Sequence, residues 1–311
     1  MQNNFDIDKF KDAKLAVCCL TYSDAKDFFK FIHEICPEIK WRDEHELSVD
    51  NTEFQDGGYE FTIYGLEAYE YPDGLCRAKY IEDFGDEDYK IIKVKIENVE
   101  AYLVAIYDPS KIILMTSRGF NNDGNFYTEK VSSMAKRYDS IVSINGGGFD
   151  DVTLTNIPKG CVIQDSKVIW HTNNKVDLVG FNSDNRLILV KATCEEAIDM
   201  GIRDAVTFSP FLIQNGVTNK NPSAGGGFYR ASRVVIAQRL DGIILFLVTE
   251  GNYRNGPLMG DVIDILVKYG AYNAANLDGG ASAQLIVEGK LLNKPYNVYG
   301  RSVITAFGLK K

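Results

Sequence analysis

Ala274-Ala275-Asn276-Leu277-Asp278-Gly279-Gly280-Ala281-Ser282-Ala283-Gln284 is the stretch on which the reading of this chain turns. Just upstream, Val262, Ile263, Ile265, Leu266 and Tyr269 fall at helical spacing, and Gly270 stands where a helix end favours a left-handed residue. Residues 259–269 are therefore predicted to be helical. Downstream, Leu285-Ile286-Val287 reads as a strand. Between the two lies an acid followed by two glycines and a serine, and glycine lets a backbone turn sharply and lie close to a ligand where a Cβ would intrude. The stretch presents Asp278, with Asn276, Gly279, Gly280 and Ser282 around it. A tight turn with a solvated Asp is the plainer alternative.

Working outward, the chain from Glu100 onward repeats short β-rich runs separated by Asp, Asn and Gly. Strands are expected at residues 101–107, 111–115, 141–144, 162–163, 177–179 and 187–190, with helices near 127–137 and 259–269. Many strands, few helices and several Gly turns predict an α+β domain built on a large, mainly antiparallel or mixed β-sheet with flanking helices. The spacing does not suit a βαβ repeat.

Three further stretches in this half could carry chemistry. Ile144-Asn145-Gly146-Gly147-Gly148-Phe149 follows a strand, and its glycines can wrap a ligand while leaving N–H groups free to donate. It is neither a Walker A loop nor a dinucleotide fingerprint, because no Gly-Lys-Ser/Thr follows and no helix opens on G-x-G-x-x-G. A glycine-rich loop at 225–227 feeds Arg230 and Arg233 into a strand, and Arg301 opens the last one; a guanidinium there suits a carboxylate or phosphate, or is merely solvated. Glu250 ends the apolar run Leu247-Val248-Thr249. Paired acids such as Asp278 and Glu250 can divide the acid, base or nucleophile roles of glycosidic cleavage, and arginines can hold a phosphoryl group.

Other chemistries fit poorly. The histidines are His33, His45 and His171, with no zinc-ligand spacing. Ser282 lies outside any G-x-S-x-G motif and no His follows it, which excludes the usual hydrolase triad order. No metal and no cofactor is expected, with binding of Ca2+ or Mg2+ through the oxygens of acidic side chains as the alternative. Lys and Arg number 34 against 43 Asp and Glu, a net charge of −9, so no broad basic surface for a nucleic acid polymer is implied. With 45% hydrophobic and 25% charged residues the composition is that of a globular protein, and no run of apolar residues is long enough for a membrane span. Cys18, Cys19, Cys36, Cys76, Cys161 and Cys194 show no C-x-x-C pair and are read as free thiols. With no signal peptide in the first residues, a cytoplasmic location is expected, non-classical release or association with a phage particle remaining open.

The first 94 residues are expected to form a small α/β accessory domain. Residues 15–20 read as a strand, Thr21 and Asp24 as a capping box, and Ala25, Phe28, Phe29, Ile32 and Ile35 as one face of a helix. This portion resembles small accessory modules of clostridial and phage proteins, which implies binding or assembly and a possible protein partner.

Residues 95–311 resemble the phosphodiester glycosidase family. The family's Asn-Gly-Gly-Phe-Phe loop is similar to Asn145-Gly146-Gly147-Gly148-Phe149, with Gly148 in place of the first aromatic. Its Pro-x-Gly segment is similar to Pro158-Lys159-Gly160, and its Asn-Leu-Asp-Gly-Gly-Gly-Ser block to Asn276-Leu277-Asp278-Gly279-Gly280-Ala281-Ser282. Glu250-Gly251 stands for an Asp-Gly, Arg233 and Ile236 match an Arg-Thr-Ala-Ile-Gly strand, and Arg301-Ser302-Val303-Ile304-Thr305-Ala306 is similar to the closing Arg-x-Val-Pro-Thr-Ala. The resemblance implies a hydrolase that splits a sugar-1-phosphodiester into free sugar and a phosphomonoester. Asp278 would be the principal acid/base and Glu250 a second. Arg233 and Arg301 would bind phosphate, and Asn145, Asn276 and the amides of Gly146, Gly147 and Gly148 would position the sugar. A non-catalytic protein that binds a glycan or a phosphate ligand, and a hydrolase of a nucleotide-sugar or nucleotide-derived signal, are the alternatives.

Overall fold

The computed structural model describes residues 14–17, 60–63, 68–71, 74–77 and 88–311, with the exception of 119, 121–125, 223–228, 241, 297 and 298. The expected N-terminal helix, His33, His45, Cys18, Cys19, Cys36 and the glycine run at 225–227 lie outside the described residues. The chain divides into two compact units, residues 1–87 with 265–271, and residues 88–264 with 272–311. In the first, Lys14–Val17 pairs in parallel with Glu60–Ile63, and Ala68–Tyr71 forms an antiparallel pair with Gly74–Arg77.

The second unit rests on three sheets. A seven-stranded sheet runs in the order Val217–Thr218, Phe211–Gln214, Ala271–Leu277, Val234–Arg239, Ile244–Thr249, Val99–Ile106 and Tyr89–Ile96. A five-stranded antiparallel sheet takes Lys290–Leu291, Leu285–Val287, Ser140–Asn145, Thr305–Lys310 and Ile112–Thr116 in that order. The third, also five-stranded and antiparallel, orders Lys167–Trp170, Val162–Gln164, Ile202–Thr207, Val176–Asn182 and Leu187–Ala192. This is the large, mainly antiparallel architecture that the short β-rich runs predict.

Sequence texture follows position in the sheet. Val234–Arg239 and Ile244–Thr249 are buried along their whole length, which is why they read as unbroken apolar runs rather than alternating ones. Tyr89–Ile96 is an edge strand, and Lys90, Lys93 and Lys95 interrupt it; edge lysines discourage pairing with a further strand. It pairs from end to end with Val99–Ile106, so the expected boundary between residues 94 and 95 falls inside a strand of the large sheet.

One core serves all three sheets. Val104, Ile236 and Phe246 from the seven-stranded sheet, Val142, Ile144 and Phe307 from the second, and Val179, Phe181 and Val206 from the third form one buried cluster. Phe181 and Phe307 meet edge to face at 6.1 Å, and each such fully buried side chain stabilises by about 1.5–3 kcal/mol.

The helix expected at 127–137 is shorter, Val131–Tyr138, because Glu129–Lys130 is drawn into a two-stranded ladder with Ser302–Val303. Helix Met259–Lys268 is as expected, with Asp261 in its first turn, Lys268 in its last and Gly270 beyond it at φ +77°. A third helix, Cys194–Asp199, is capped by a reciprocal pair: Glu196 N–H donates to the Thr193 hydroxyl, and Thr193 N–H donates to the Glu196 carboxylate. Cys194 opens that helix and is joined to Cys161 by a disulfide, their Cα atoms 6.0 Å apart. This corrects the expectation of six free thiols. The two cysteines are brought together by a satellite core of Ile163, Leu178, Ala192, Ile202 and Ala205 across 33 residues of sequence. No helix among the described residues is long and apolar enough to cross a membrane.

Candidate functional site

Four strand ends converge on Asp278. Strand Ala271–Leu277 delivers it, Ser140–Asn145 ends on Asn145, Thr305–Lys310 begins on Thr305, and Arg233 immediately precedes Val234–Arg239. The backbone of Asp278 is fixed first. Its N–H donates to the Gly146 carbonyl at 3.1 Å, and its own carbonyl accepts from the Asn145 amide at 2.5 Å. Asn145 is fully buried, and its Oδ1 accepts the Gln284 N–H at 3.0 Å, so one side chain ties the strand end to both sides of the following turn. Gln284 in turn donates to the Arg301 carbonyl at 2.7 Å.

The glycines are there for close approach. Gly146 donates to the Thr305 carbonyl at 2.8 Å, Gly147 donates to the Thr305 hydroxyl at 3.0 Å, and a Cβ on Gly146 would lie 2.6 Å from that hydroxyl. A Cβ on Gly279 would lie 2.6 Å from the Ser232 carbonyl. Gly280 has a φ of +58°, opens the short turn Gly280–Ser282 and is held by Ser232 at both groups, its N–H donating at 2.8 Å and its carbonyl accepting from the Ser232 hydroxyl at 2.9 Å. Ser232 thus anchors the chain just before Arg233 to the turn just after Asp278. Ala281, where the family pattern has glycine, has no positive φ, so a methyl group is accepted there.

Burial pushes the Asp278 carboxyl up to about 6. The Ser282 hydroxyl and the charges of Arg301 and Lys159 act in the opposite sense, and Asp151 adds to the rise. Arg301 pairs with Asp151 at 2.8 Å and lies over the Phe149 ring at 4.8 Å. Arg233 is only 7% exposed; its Nη2 donates to the Tyr229 carbonyl, its Nε has no partner among the described residues, and burial pushes its pKa down. Asn276 donates to the Ser209 carbonyl at 3.2 Å, while its buried Oδ1 has no donor among the described residues. A buried acceptor and a buried guanidinium N–H with nothing to bind are costly in a bare protein and are satisfied by a polar ligand.

The structure therefore brings together Asp278, Asn145, Asn276, Gly146, Gly147, Gly279, Gly280, Ser282, Arg233 and Arg301. Gly148 lies on the same loop, donating to the Thr207 carbonyl at 3.4 Å with the Phe208 ring beneath it. Glu250 makes different contacts. Its carboxylate accepts the Lys294 N–H at 3.2 Å, its N–H donates to Glu100, and its charge, after burial, helps raise the Tyr102 phenol. It is not among the charges that act on Asp278.

Asp151 and Lys159 are the residues that sequence reasoning missed. They sit on a loop closed by pairing of Phe149 with Pro158 and by the Asp150 N–H donating to Ile157. Asp150 shapes this loop and is not free for chemistry: hydrogen bonds led by the hydroxyl of Thr153, with that of Thr155 and the N–H groups of Val152 and Thr153, hold its carboxyl down at about 2. The one available signal was the Pro158-Lys159-Gly160 segment. Among the described residues no group of three or more His, Cys, Asp or Glu is arranged to hold a metal ion.

The model of the phosphodiester glycosidase family matches residues 138–310, a span that contains Asn145, Asp151, Lys159, Arg233, Asp278 and Arg301. The chain is 27% identical over 232 residues to an SPbeta prophage-derived uncharacterized protein, YomE, of Bacillus subtilis strain 168. That match takes in 70% of this chain and 35% of the relative, so the chain spans about a third of the length of the curated protein it matches. Among solved structures it resembles the zebrafish N-acetylglucosamine-1-phosphodiester alpha-N-acetylglucosaminidase catalytic domain auto-inhibited by its pro-peptide, with a TM-score of 0.63 at 18% identity over 74% of this chain and 85% of that one. A hypothetical protein from Synechocystis follows with a TM-score of 0.56 at 17% identity, covering 71% of this chain and 61% of that one. The first likeness of fold takes in more of the chain than the family match does. With the family model covering more than half of its residues, the chain belongs to the phosphodiester glycosidase family.

Proposed function

We propose that the unit beginning at Asp88 hydrolyses the glycosidic bond of a sugar-1-phosphodiester, releasing a free sugar and a phosphomonoester. The observation that carries this reading is the placement of Asp278, its backbone fixed by Gly146 and Asn145 and its carboxyl, raised to about 6 by burial, within reach of the charges of Arg301 and Lys159. A phosphomonoester has its second pKa near ~6, so a departing phosphoryl oxygen and Asp278 exchange a proton with little driving force in either direction, the condition under which acid–base catalysis is efficient. Water adds to the anomeric carbon as the bond from that carbon to the phosphoryl oxygen breaks. Asp278 protonates the leaving oxygen, and Arg301 and Lys159 neutralise charge that grows on the phosphoryl group. Asp151, the acid that acts on Asp278, accepts the proton of the attacking water in place of the expected Glu250. Asn276 Oδ1 and Arg233 Nε, both unpaired, receive the sugar hydroxyls and a substrate oxygen.

A panel of sugar-1-phosphodiesters hydrolysed in 18O-labelled water, with products read by mass spectrometry, tests this. Label in the sugar means cleavage at the anomeric carbon. Label in the phosphate, or undiminished turnover by a folded Asp278→Asn variant, overturns the reading; ligand binding without turnover points to a binding protein.

A further inference from the structure

Val152 at 87%, Tyr299 at 82% and Leu154 at 78% are the most exposed large apolar side chains among the described residues, and all three stand within three residues of one ion pair. Val152 and Leu154 follow Asp151, Tyr299 precedes Arg301, and Arg301 meets Asp151 at 2.8 Å. Single exposed apolar residues are ordinary on a protein surface; their concentration at the edge of a site is not. The loop that carries the first two is closely tied. Thr153 and Thr155 turn their hydroxyls to the Asp150 carboxylate, which also accepts the N–H groups of Val152 and Thr153, and Asn156 donates to the Phe126 carbonyl at 2.9 Å. With these side chains engaged inside the loop and Asp151 on Arg301, the methyl groups of Val152 and Leu154 are left to solvent. Leu154 also holds a φ of +61°, a left-handed conformation that Gly, Asn or Asp takes more readily than a bulky residue. A leucine kept there with its side chain in water adds nothing to the core, and the fold gives no reason for it.

The position of this apolar lip selects its occupant. A phosphodiester carries a group on each side of phosphorus, the sugar on one and an alcohol on the other. The groups assigned to the sugar side, Asn276 Oδ1 and Arg233 Nε, are buried. The cations assigned to the phosphate lie further out. Lys159 is exposed and closes the same loop, and Arg301, partly exposed, is bound to that loop through Asp151. A sugar that enters ahead of its phosphate leaves the alcohol at this rim, beside Val152, Leu154 and Tyr299. An alcohol rich in hydroxyls finds the loop's donors and acceptors already engaged, whereas a hydrocarbon chain finds methyl groups. Covering them with hydrocarbon is favourable and needs no directed partner.

We propose that Val152, Leu154 and Tyr299 form a lip for a hydrocarbon chain, and that the alcohol half of the phosphodiester substrate is a lipid-like chain rather than a second sugar. This rests on the sugar-1-phosphodiester reading of the Asp278 site, and the experiment separates the two. Methyl, butyl and octyl phosphate, the products that such diesters leave, are titrated into the full chain by calorimetry, below the concentrations at which they form micelles. Octyl phosphate binds about tenfold or more tighter than methyl phosphate, a difference of about 1.4 kcal/mol or more, and the double variant Val152→Ser, Leu154→Asn removes the gain. Both positions are exposed and Asn accepts a positive φ, so the double variant melts no lower than wild type. In turnover of a panel of sugar-1-phosphates as methyl and octyl diesters, the octyl diesters have the lower KM at similar kcat. The double variant abolishes that difference and turns over methyl diesters as wild type does. Equal affinity along the alkyl series, or a gain that survives the double variant, overturns the lip. So does a preference for glycerol or sugar diesters over octyl ones, or a loss of self-association or of vesicle binding in the double variant with no effect of chain length, which assigns these side chains to a second copy or a membrane surface. Diesters cleaved without any octyl preference leave the hydrolase reading standing and the lip overturned. A chain-length gain in binding that the double variant loses, with no diester cleaved, overturns the hydrolase reading and leaves the lip.

Discussion

Replacing Asp278 by Asn is expected to stabilise the protein, and by an amount that depends on pH. The Asp278 carboxyl sits at about 6 in the folded chain against 3.8 for an ordinary Asp, with burial as the largest cause. An acid whose folded pKa lies above its unfolded value holds more protons folded than unfolded, so stability falls as pH rises between the two values and is level beyond them. The difference of about 2 units, at about 1.4 kcal/mol per unit, puts the destabilisation above pH 6 at about 3 kcal/mol. Below pH 4 it is absent. Asn has nearly the same shape and no charge, so the advantage of Asp278→Asn over wild type grows by about 3 kcal/mol between pH 4 and pH 8. Urea unfolding of both proteins at each pH, followed by Trp170 fluorescence in a Trp41→Phe background, measures it; equal m-values confirm that stability alone has changed. Taking the difference cancels the titrating groups that do not interact with Asp278. A difference that is flat with pH refutes the reasoning. So does one of opposite sign, which would mean that attraction to Arg301 and Lys159 outweighs burial and holds the carboxylate ionised.

Arg301→Ala removes a pair with Asp151 in which the two side chains are 29% and 41% exposed, so stability changes by less than about 1 kcal/mol. Activity on a sugar-phosphodiester falls by about a hundredfold or more, and the pH limb belonging to Asp278 moves upward, because Arg301 lowers its pKa; a pH–rate profile reads both. Asp151→Asn lowers kcat by at least about tenfold while Glu250→Gln costs less than that, and steady-state kinetics with the reverse order removes Asp151 from the mechanism. Gly146→Ala places a Cβ 2.6 Å from the Thr305 hydroxyl that holds Gly147, and destabilises by about 2 kcal/mol. Gly280→Ala meets nothing within 4 Å and carries only the strain of a φ of +58°, about 1 kcal/mol; thermal melts that rank the two the other way contradict the contacts.

What the sequence makes legible divides along physical lines. Val234–Arg239 and Ile244–Thr249 declare themselves because a strand buried on both faces has no polar positions to keep. Met259–Lys268 does so because ten residues carry nearly three turns of periodicity and Gly270 marks the end. Cys194–Asp199 has only six residues, too few for a period, and its one signal was the reciprocal cap of Thr193 and Glu196. The disulfide was illegible for a related reason. Cys161 and Cys194 are separated by four strands, and only the pairing of Val162–Gln164 and Val176–Asn182 against Ile202–Thr207 brings their Cα atoms to 6.0 Å.

The site shows the same division at finer grain. Asp278 and its glycines are contiguous, so their spacing displays the turn directly; the partner that acts on Asp278 is set by how a loop more than a hundred residues earlier folds back. Asp150 and Asp151 are indistinguishable as letters, yet the hydroxyls of Thr153 and Thr155 commit the first to the loop and leave the second to meet Arg301. Glu250 has the right chemical type at the end of an apolar run, and that position and its likeness to the family's Asp-Gly put it forward, but one of its carboxylate oxygens accepts from the Lys294 N–H and its backbone N–H donates to Glu100. Gly148 follows the same logic in reverse. It departs from the family's aromatic, and a ring from elsewhere stands beside it, since Phe208, just after strand Ile202–Thr207, lies 3.2 Å from the place a Cβ would occupy. A departure in the sequence is met in three dimensions by a ring from another part of the chain, and Phe208 leads directly into Ser209, whose carbonyl accepts from the Asn276 side chain beside Asp278.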